Sequence, residues 1–578
     1  MANRTFFKVI GFALMVFVLS ASAGDVPPLE ERVRETQLDN GLKVVVVERP
    51  NAPVFFSLIA FRVGSSIEDV GKSGLSHFME HMLFKGTETI GTTDFSKEKP
   101  IMEEIEEVAT SMRDLRISLE KWRFDIFEKY TAEIKSNLSP EIRQTIQQDE
   151  ASKWKAILDE LPVYFQELPE EMKQTSWLLK ERNRDFWKDY RKVLGFRQRI
   201  SELITEQRKH IQQNELTSIY SAQGSQMLNA GTGYDGTQYM LGLPSNNLEL
   251  WMFLEADRFK NPVFREFYSE REVIQEELAM YENSPGSFLF QKFVQAAFVS
   301  HPYGRPIIGW KEDIQLALRT EMDNHYHRYY GPNNCQMTIV GDVKAEEVFR
   351  LAEKYFSSWE MGEVAHEVTI KEEPQTGERR IEVEFKAEPQ MIVGWHVPAA
   401  PHPDAYALEI MAQVLSSGRT SRFYKSIFEQ QQISAGPPRA SIGPGNRYPG
   451  IFFVFGSPNG AHSNEDLEAA VYIELEKLKT DVVAEREMER IFNNYKSRQL
   501  RKLRSNQWLA FSLSRGFTNT GDWSSSIREY QRVLEVTPED IKRVANKYLT
   551  KTNRTVAYLV KPEEHVDNAE PQTGGPGL

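Results

Sequence analysis

The sequence predicts an α+β protein of two homologous domains, each a mainly antiparallel β-sheet covered by helices, with a long helical insertion in the first. Three observations predict it. Strand-length apolar runs alternate with helical periodicity, that order restarts after a polar stretch at 361–380, and the 103 residues of 92–194 contain no glycine. Alternation on this scale packs as an antiparallel sheet with helices on one face. Residues 42–47 and 54–61 are apolar strand runs joined through Pro50-Asn51-Ala52-Pro53, and Gly71 to Gly74 turns the chain into a short helix. Residues 231–240 read as strand, turn and strand, and 246–260 and 268–281 as helices. The first of these helices has a broad apolar face of Leu248, Leu250, Met252, Phe253 and Leu254. A strand at 336–340 and a helix at 344–356 complete the first domain.

After the linker the order begins again. Residues 380–385 and 390–397 are strand candidates, 404–415 a helix, and 451–455 a strand. Helices at 465–478 and from about 484 follow. The expected domains are 24–360, with the insertion at about 96–215, and 381–565, before a disordered tail at 566–578 rich in glycine. The insertion is dense in Glu, Lys, Arg and Gln, carries Trp122, Trp154, Trp177 and Trp187, and is punctuated by Pro100, Pro140, Pro162 and Pro169. It reads as helices packed on themselves, or as a lid or recognition element. Nothing in it looks catalytic.

Residues 1–23 stand apart. Arg4 and Lys8 precede an apolar run from Val9 to Leu19, and Ala21-Ser22-Ala23 is a small-residue cleavage site. That is the pattern of a secretory signal peptide, too short for a comfortable membrane span. Export is expected, most simply to a bacterial periplasm, with no stable membrane insertion once the signal is removed. Cys335 is the only cysteine, which excludes an intrachain disulfide and any site needing two thiolates. A net charge of −13 gives no basic footprint, so nucleic acid is not an expected partner.

The most informative stretch is Gly74-Leu75-Ser76-His77-Phe78-Met79-Glu80-His81. On a helix His77 and His81 point the same way, with Glu80 beside them. Two imidazoles so placed grip one divalent ion, and zinc is the usual occupant of a mixed His and carboxylate set. Glu80 is then placed to take a proton from water. The bland alternative is two buried histidines and a surface glutamate. A third protein ligand is sought in the acidic run 269–278. Glu270 and Glu277 are seven apart and share a helix face, whereas Glu276 and Glu272 point elsewhere. That pair can supply a ligand and its outer partner, or it can be a solvated charge run on a surface helix. Setting Leu415 to Gly418 against Leu83 to Gly86 places Glu409, Ala412 and Gln413 where the first half has His77, Glu80 and His81. The second half is therefore expected to hold substrate or scaffold the first.

These residues resemble the inverzincin peptidases, the pitrilysin, insulin-degrading and mitochondrial-processing-peptidase family (peptidase family M16), and within it the short two-domain bacterial type. The resemblance runs through Gly74 to Thr87, Asn229 to Tyr239, Ala256-Asp257-Arg258, Glu270 to Glu277, His301-Pro302-Tyr303-Gly304 and Tyr330 to Asn334. In the second half it continues through Pro401-His402-Pro403-Asp404 and Gly418 to Tyr424. It implies a zinc metalloendopeptidase with one zinc per chain held by His77, His81 and Glu277, Glu80 as general base and Glu270 in support. It implies that a peptide substrate lies along Asn229, Ala230, Gly231 and Thr232. It also implies a second electrophile, for which Tyr303, Arg422 and Tyr424 are candidates. The family's chamber has four such domains, so a homodimer, or a heterodimer with a related subunit, is implied. The other reading is a structural or regulatory subunit that completes a partner's chamber. One departure stands out: Glu277 lies 196 positions after His81, far more than in plain members, and the excess matches the glycine-free insertion.

Overall fold

A computed structural model describes residues 29–137, 181–363 and 367–562. The expected signal at 1–23, the tail at 566–578 and the middle of the insertion lie outside them. Two sheets organise the chain. The first runs β1 (Val33–Gln37), β2 (Lys43–Glu48), β6 (Cys335–Gly341), β3 (Val54–Phe61), β5 (Thr237–Pro244) and β4 (Gln226–Thr232) from edge to edge. The second runs β7 (Arg379–Glu384), β11 (Arg554–Val560), β8 (Gln390–Val397), β10 (Gly450–Gly456) and β9 (Arg439–Gly443). Each contains one parallel pair, β2 with β6 and β7 with β11, and is otherwise antiparallel. Without β1 the two orders superimpose strand for strand, so the halves repeat one architecture. β4 and β9 are the corresponding edges.

Helix α1 (Leu75–Met82) follows β3, and the insertion begins and ends with α2 (Phe95–Asn137) and α3 (Glu181–Gln207). After β5 come α4 (Leu248–Lys260), α5 (Phe267–Glu282) and α6 (Pro285–Ala297). In the second half α7 (Pro403–Ser416) follows β8, and α8 (Asn464–Thr480), α9 (Glu485–Arg504) and α10 (Asn506–Thr520) follow β10.

The expectation of helices on one face of each sheet needs correction, because a helix from the opposite half covers the second face. Leu509, Ala510, Leu513 and Phe517 of α10 pack on Val45, Val47, Phe56, Leu58, Ala60 and Val340 of the first sheet. In return Leu289, Phe293, Val294 and Ala297 of α6 pack on Ile392, Ile451, Ala557 and Leu559 of the second. Burial on both faces explains why every residue of β6 and all but the first of β3 are buried, the polar Ser57, Gln336 and Thr338 included.

The root of the insertion is fastened to the first domain. Glu98 of α2 is wholly buried and accepts from Arg265 (3.1 Å) and Gln207 (3.0 Å). Arg265 also donates to the carbonyls of Lys85, Thr87 and Ile90, which tie the turn after α1 to the root of α2. Such a buried charge is tolerable because every partner is in place. Glu106 accepts from the Tyr268 hydroxyl (2.6 Å) two residues before Glu270.

Candidate metal centre

Helix α1 starts at Gly74, whose φ of 86° is left-handed and whose missing side chain lets Ile308 O approach. No residue of the helix caps it. Instead the carboxylate of Glu68 accepts from Gly74 N (2.7 Å) and Ser76 N (2.6 Å), satisfying two of the free amides at the helix start. Burial pushes the Glu68 carboxyl up to about 7, against the pull of those bonds. One face of α1, with Leu75, Phe78, Met79 and Met82, is sunk in the core. Phe78 stacks on Phe267 at the start of α5, ring centroids 4.4 Å apart. That stacking holds the two helices bearing the candidate ligands side by side.

The opposite face carries His77, Glu80 and His81. The Nε2 atoms of both histidines lie 3.6 Å from Glu277 Oε2 on α5. Ligand atoms of His77, His81 and Glu277 all fall within 4.8 Å of one another, and among the described residues no other set of His, Cys, Asp or Glu converges in this way. Two imidazole nitrogens and one carboxylate oxygen are a donor set that suits zinc and leaves a position for water. His77 is held to about 4 by burial and by its neighbour His81, so it stands neutral, as a ligand must.

Glu270 takes the other side of His81. Its Oε1 is 2.9 Å from His81 Nδ1 and its Oε2 2.5 Å from Lys85 Nζ. Burial would raise the Glu270 carboxyl, but these two partners outweigh it and hold it at about 2. Glu80 points to β4, where the Thr232 hydroxyl donates to its Oε2 at 2.6 Å. Burial pushes the Glu80 carboxyl up, and the Thr232 bond opposes that. The edge strand thus touches α1 through the side chain between the two histidines.

Along that edge Asn229 pairs with Met240, Ala230 with Tyr239, Gly231 with Gln238 and Thr232 with Thr237, and among the described residues no strand lies on the outer side. A bulge near Met227, whose φ is 55°, bends the start of the strand. Glu272 and Glu276 are exposed, turned from the cluster.

The three candidate electrophiles are engaged elsewhere. Arg422 pairs with Glu487 on α9 (3.0 Å), and Tyr424 packs on Phe428, all within the second half. Tyr303 is fully buried, its hydroxyl donating to Asp235 Oδ1 (2.7 Å) and accepting from Tyr448 N (3.1 Å). Sequence reasoning passed over Lys85, which lies in the turn just beyond α1, although its place four residues after His81 signals it. It also passed over Glu68, for which the sequence offers no local signal.

The matching place in the second half is built differently. Gln413 of α7 accepts from Arg498 of α9 (2.7 Å), and Glu409 faces Arg515, Glu529, and Lys502 and Arg498 of α9. By chain order α9 is the counterpart of α5, so cations stand where the first half has carboxylates.

Comparison with known proteins agrees with this division. The family model for insulinase (peptidase family M16) matches residues 43–112 and 199–311, and that for the peptidase M16 inactive domain matches 317–495. The unmatched interval is the body of the insertion. The zinc protease PqqE of Helicobacter pylori is 28% identical over 373 residues, 63% of this chain and 83% of that protein. A probable mitochondrial-processing peptidase subunit beta of Arabidopsis thaliana is 25% identical over 333 residues, 56% of this chain and 62% of that one. Among solved structures, a Helicobacter pylori protease matches with a TM-score of 0.67 at 22% identity, over 92% of this chain and 99% of that one. The periplasmic protease PqqL from Escherichia coli matches with a TM-score of 0.61 at 15% identity, over 93% of this chain and 48% of that one. At these identities the structural matches establish the two-domain fold.

Proposed function

The chain belongs to the M16 peptidase family, and from that premise we propose that it is a zinc-dependent endopeptidase hydrolysing unfolded peptides or small polypeptides outside the cytoplasm. The observation that carries this reading is the convergence of His77 Nε2, His81 Nε2 and Glu277 Oε2, with Glu80 beside them and bonded to the edge strand.

His77, His81 and Glu277 would hold a zinc ion, which would supply Lewis acidity toward water and the scissile carbonyl. Glu80 accepts the proton of the attacking water and returns it to the departing amine. The Thr232 hydroxyl fixes one oxygen of that carboxylate, so the base is aimed before substrate arrives. Glu270 accepts from His81 Nδ1 and thereby fixes the ring with Nε2 forward. Lys85 keeps Glu270 charged. The unpaired outer edge of Asn229 to Thr232 offers backbone groups to an extended peptide, which adds as a further strand. Such binding reads the main chain more than the side chains, favouring unfolded substrates of mixed sequence.

Export to the periplasm fits the leader-like first 23 residues, and among the described residues no helix is long and apolar enough to cross a membrane. Assembly with a second copy or a related subunit would close the open side of the cleft. Metal analysis beside cleavage of an unstructured peptide, with and without chelator, tests the reading. Loss of both zinc and cleavage on chelation, restored by zinc, is expected. Cleavage indifferent to chelator, or a zinc-loaded protein that cleaves no peptide in any assembly, would overturn it.

A further inference from the structure

The turn between β4 and β5 makes a contact that the proposed chemistry does not use. Asp235 sits there, buried, and gathers three donors from two distant parts of the chain. Its Oδ1 accepts from the Tyr303 hydroxyl (2.7 Å), and its Oδ2 accepts from the backbone amides of Asn446 (2.6 Å) and Arg447 (3.1 Å). Those amides belong to the turn between β9 and β10, the counterpart in the second half of the very turn that carries Asp235. Tyr303 closes the arrangement by accepting from Tyr448 N (3.1 Å). Gly445 lies against the Tyr303 ring so closely that a Cβ there would overlap it. Around this core Glu367 bridges Arg62 of the first half and Arg447 and Tyr448 of the second.

The same turn reaches the metal helix. Ser65 N donates to Gly233 O (3.2 Å) and Ser66 N to Tyr234 O (3.0 Å), and three residues on Glu68 receives the amides at the start of α1. Toward the other side, Thr232, three residues before Asp235, holds Glu80.

We propose that Tyr303 and Asp235 are positioning residues, a latch that fixes the second half against the β4 edge and so sets the peptide-binding cleft. Tyr303 is not an electrophile in this arrangement: its one proton is given to Asp235 and its ring is sealed from the cleft by Tyr234, Phe298, His301 and Tyr448. Without the hydroxyl, the second-half turn loses one anchor and the carboxylate loses a donor it cannot replace from solvent. The second half then drifts relative to β4, weakening peptide capture while the metal centre stays intact.

For its kinetic arm the proposal rests on the peptidase reading; a second arm does not. Tyr303→Phe and, separately, Asp235→Asn are made in the full chain, and amide hydrogen exchange is measured at residues 446–448. Hydrogen bonds to a charged group are strong enough that exchange there should speed by roughly 10-fold or more. In parallel, kcat and KM are measured on an unstructured peptide of about twenty residues. A rise in KM of about 5-fold or more with kcat within about 2-fold marks lost binding geometry. A kcat fall of about 100-fold with KM unchanged would instead place Tyr303 on the reacting atoms and overturn the latch. Unchanged exchange, or faster exchange with unchanged KM, overturns it as well. If the parent protein cleaves nothing, the peptidase reading fails and the exchange arm alone decides.

Discussion

Glu270 Oε1 stands 2.9 Å from His81 Nδ1 while Glu270 Oε2 reaches Lys85. The carboxylate therefore fixes which nitrogen of His81 is free to face Glu277, and a lysine fixes the carboxylate. Among the described residues His77 has no such support, its Nδ1 being buried without a partner there. The two imidazoles are held unequally, and the outer partner of His81 should carry a disproportionate share of metal retention. Glu270→Gln is expected to lower zinc affinity or activity by roughly 10–100-fold, the usual effect of removing an outer partner. Competition with a chromogenic chelator reads the affinity, and an unchanged value would sink the assignment.

Glu80→Gln should keep zinc and lose hydrolysis, since it removes a base without removing a ligand. A fall in kcat of about 10²–10⁴-fold is expected. Metal content by elemental analysis beside a peptide assay checks it; near-full activity in a zinc-loaded variant would remove Glu80 from the chemistry.

Glu277→Gln should lose zinc far more readily than Glu276→Gln. Only the first side chain lies between the two imidazoles, while Glu276 is turned to solvent. Equal metal content in the two variants, after dialysis at one chelator concentration, contradicts the ligand assignment.

Leu513→Ala tests the exchanged helices. Leu513 lies in α10 but is buried against strands of the first sheet. Truncating a core leucine typically costs about 2–5 kcal/mol, so a clear fall in melting temperature is expected. The loss should appear in first-half amides such as those of β3 by hydrogen exchange. A loss confined to the second half would show that α10 stabilises only its own domain.

Much of this was legible beforehand, for identifiable reasons. β8 spans Gln390–Val397, as its apolar run indicates, because a strand covered on both faces writes itself as unbroken hydrophobicity. His77, Glu80 and His81 were legible because helical spacing alone puts them together. Glu270 and Glu277 could be picked from four nearby glutamates by the same rule. What the sequence hid is tertiary. Nothing in 285–297 or 506–520 says that an amphipathic helix will pack on the sheet of the other half. The Thr232 bond to Glu80 joins residues 152 apart in sequence. The resemblance offers Tyr303 as an electrophile, but only the fold shows that Asp235 and Tyr448 engage its hydroxyl.

The exchanged helices also bear on how the molecule comes into being. Synthesis reaches β6 with Val45, Phe56, Leu58 and Val340 made, yet the residues that cover them begin at Leu509. For well over a hundred residues of growth, the earlier half holds an apolar surface whose cover from α10 has not yet been made. Exposed surface of that kind favours aggregation. A chain ended at the linker should therefore precipitate rather than yield a smaller folded protein. Two separately expressed pieces broken there should become soluble only when made together, since each carries the other's missing lid.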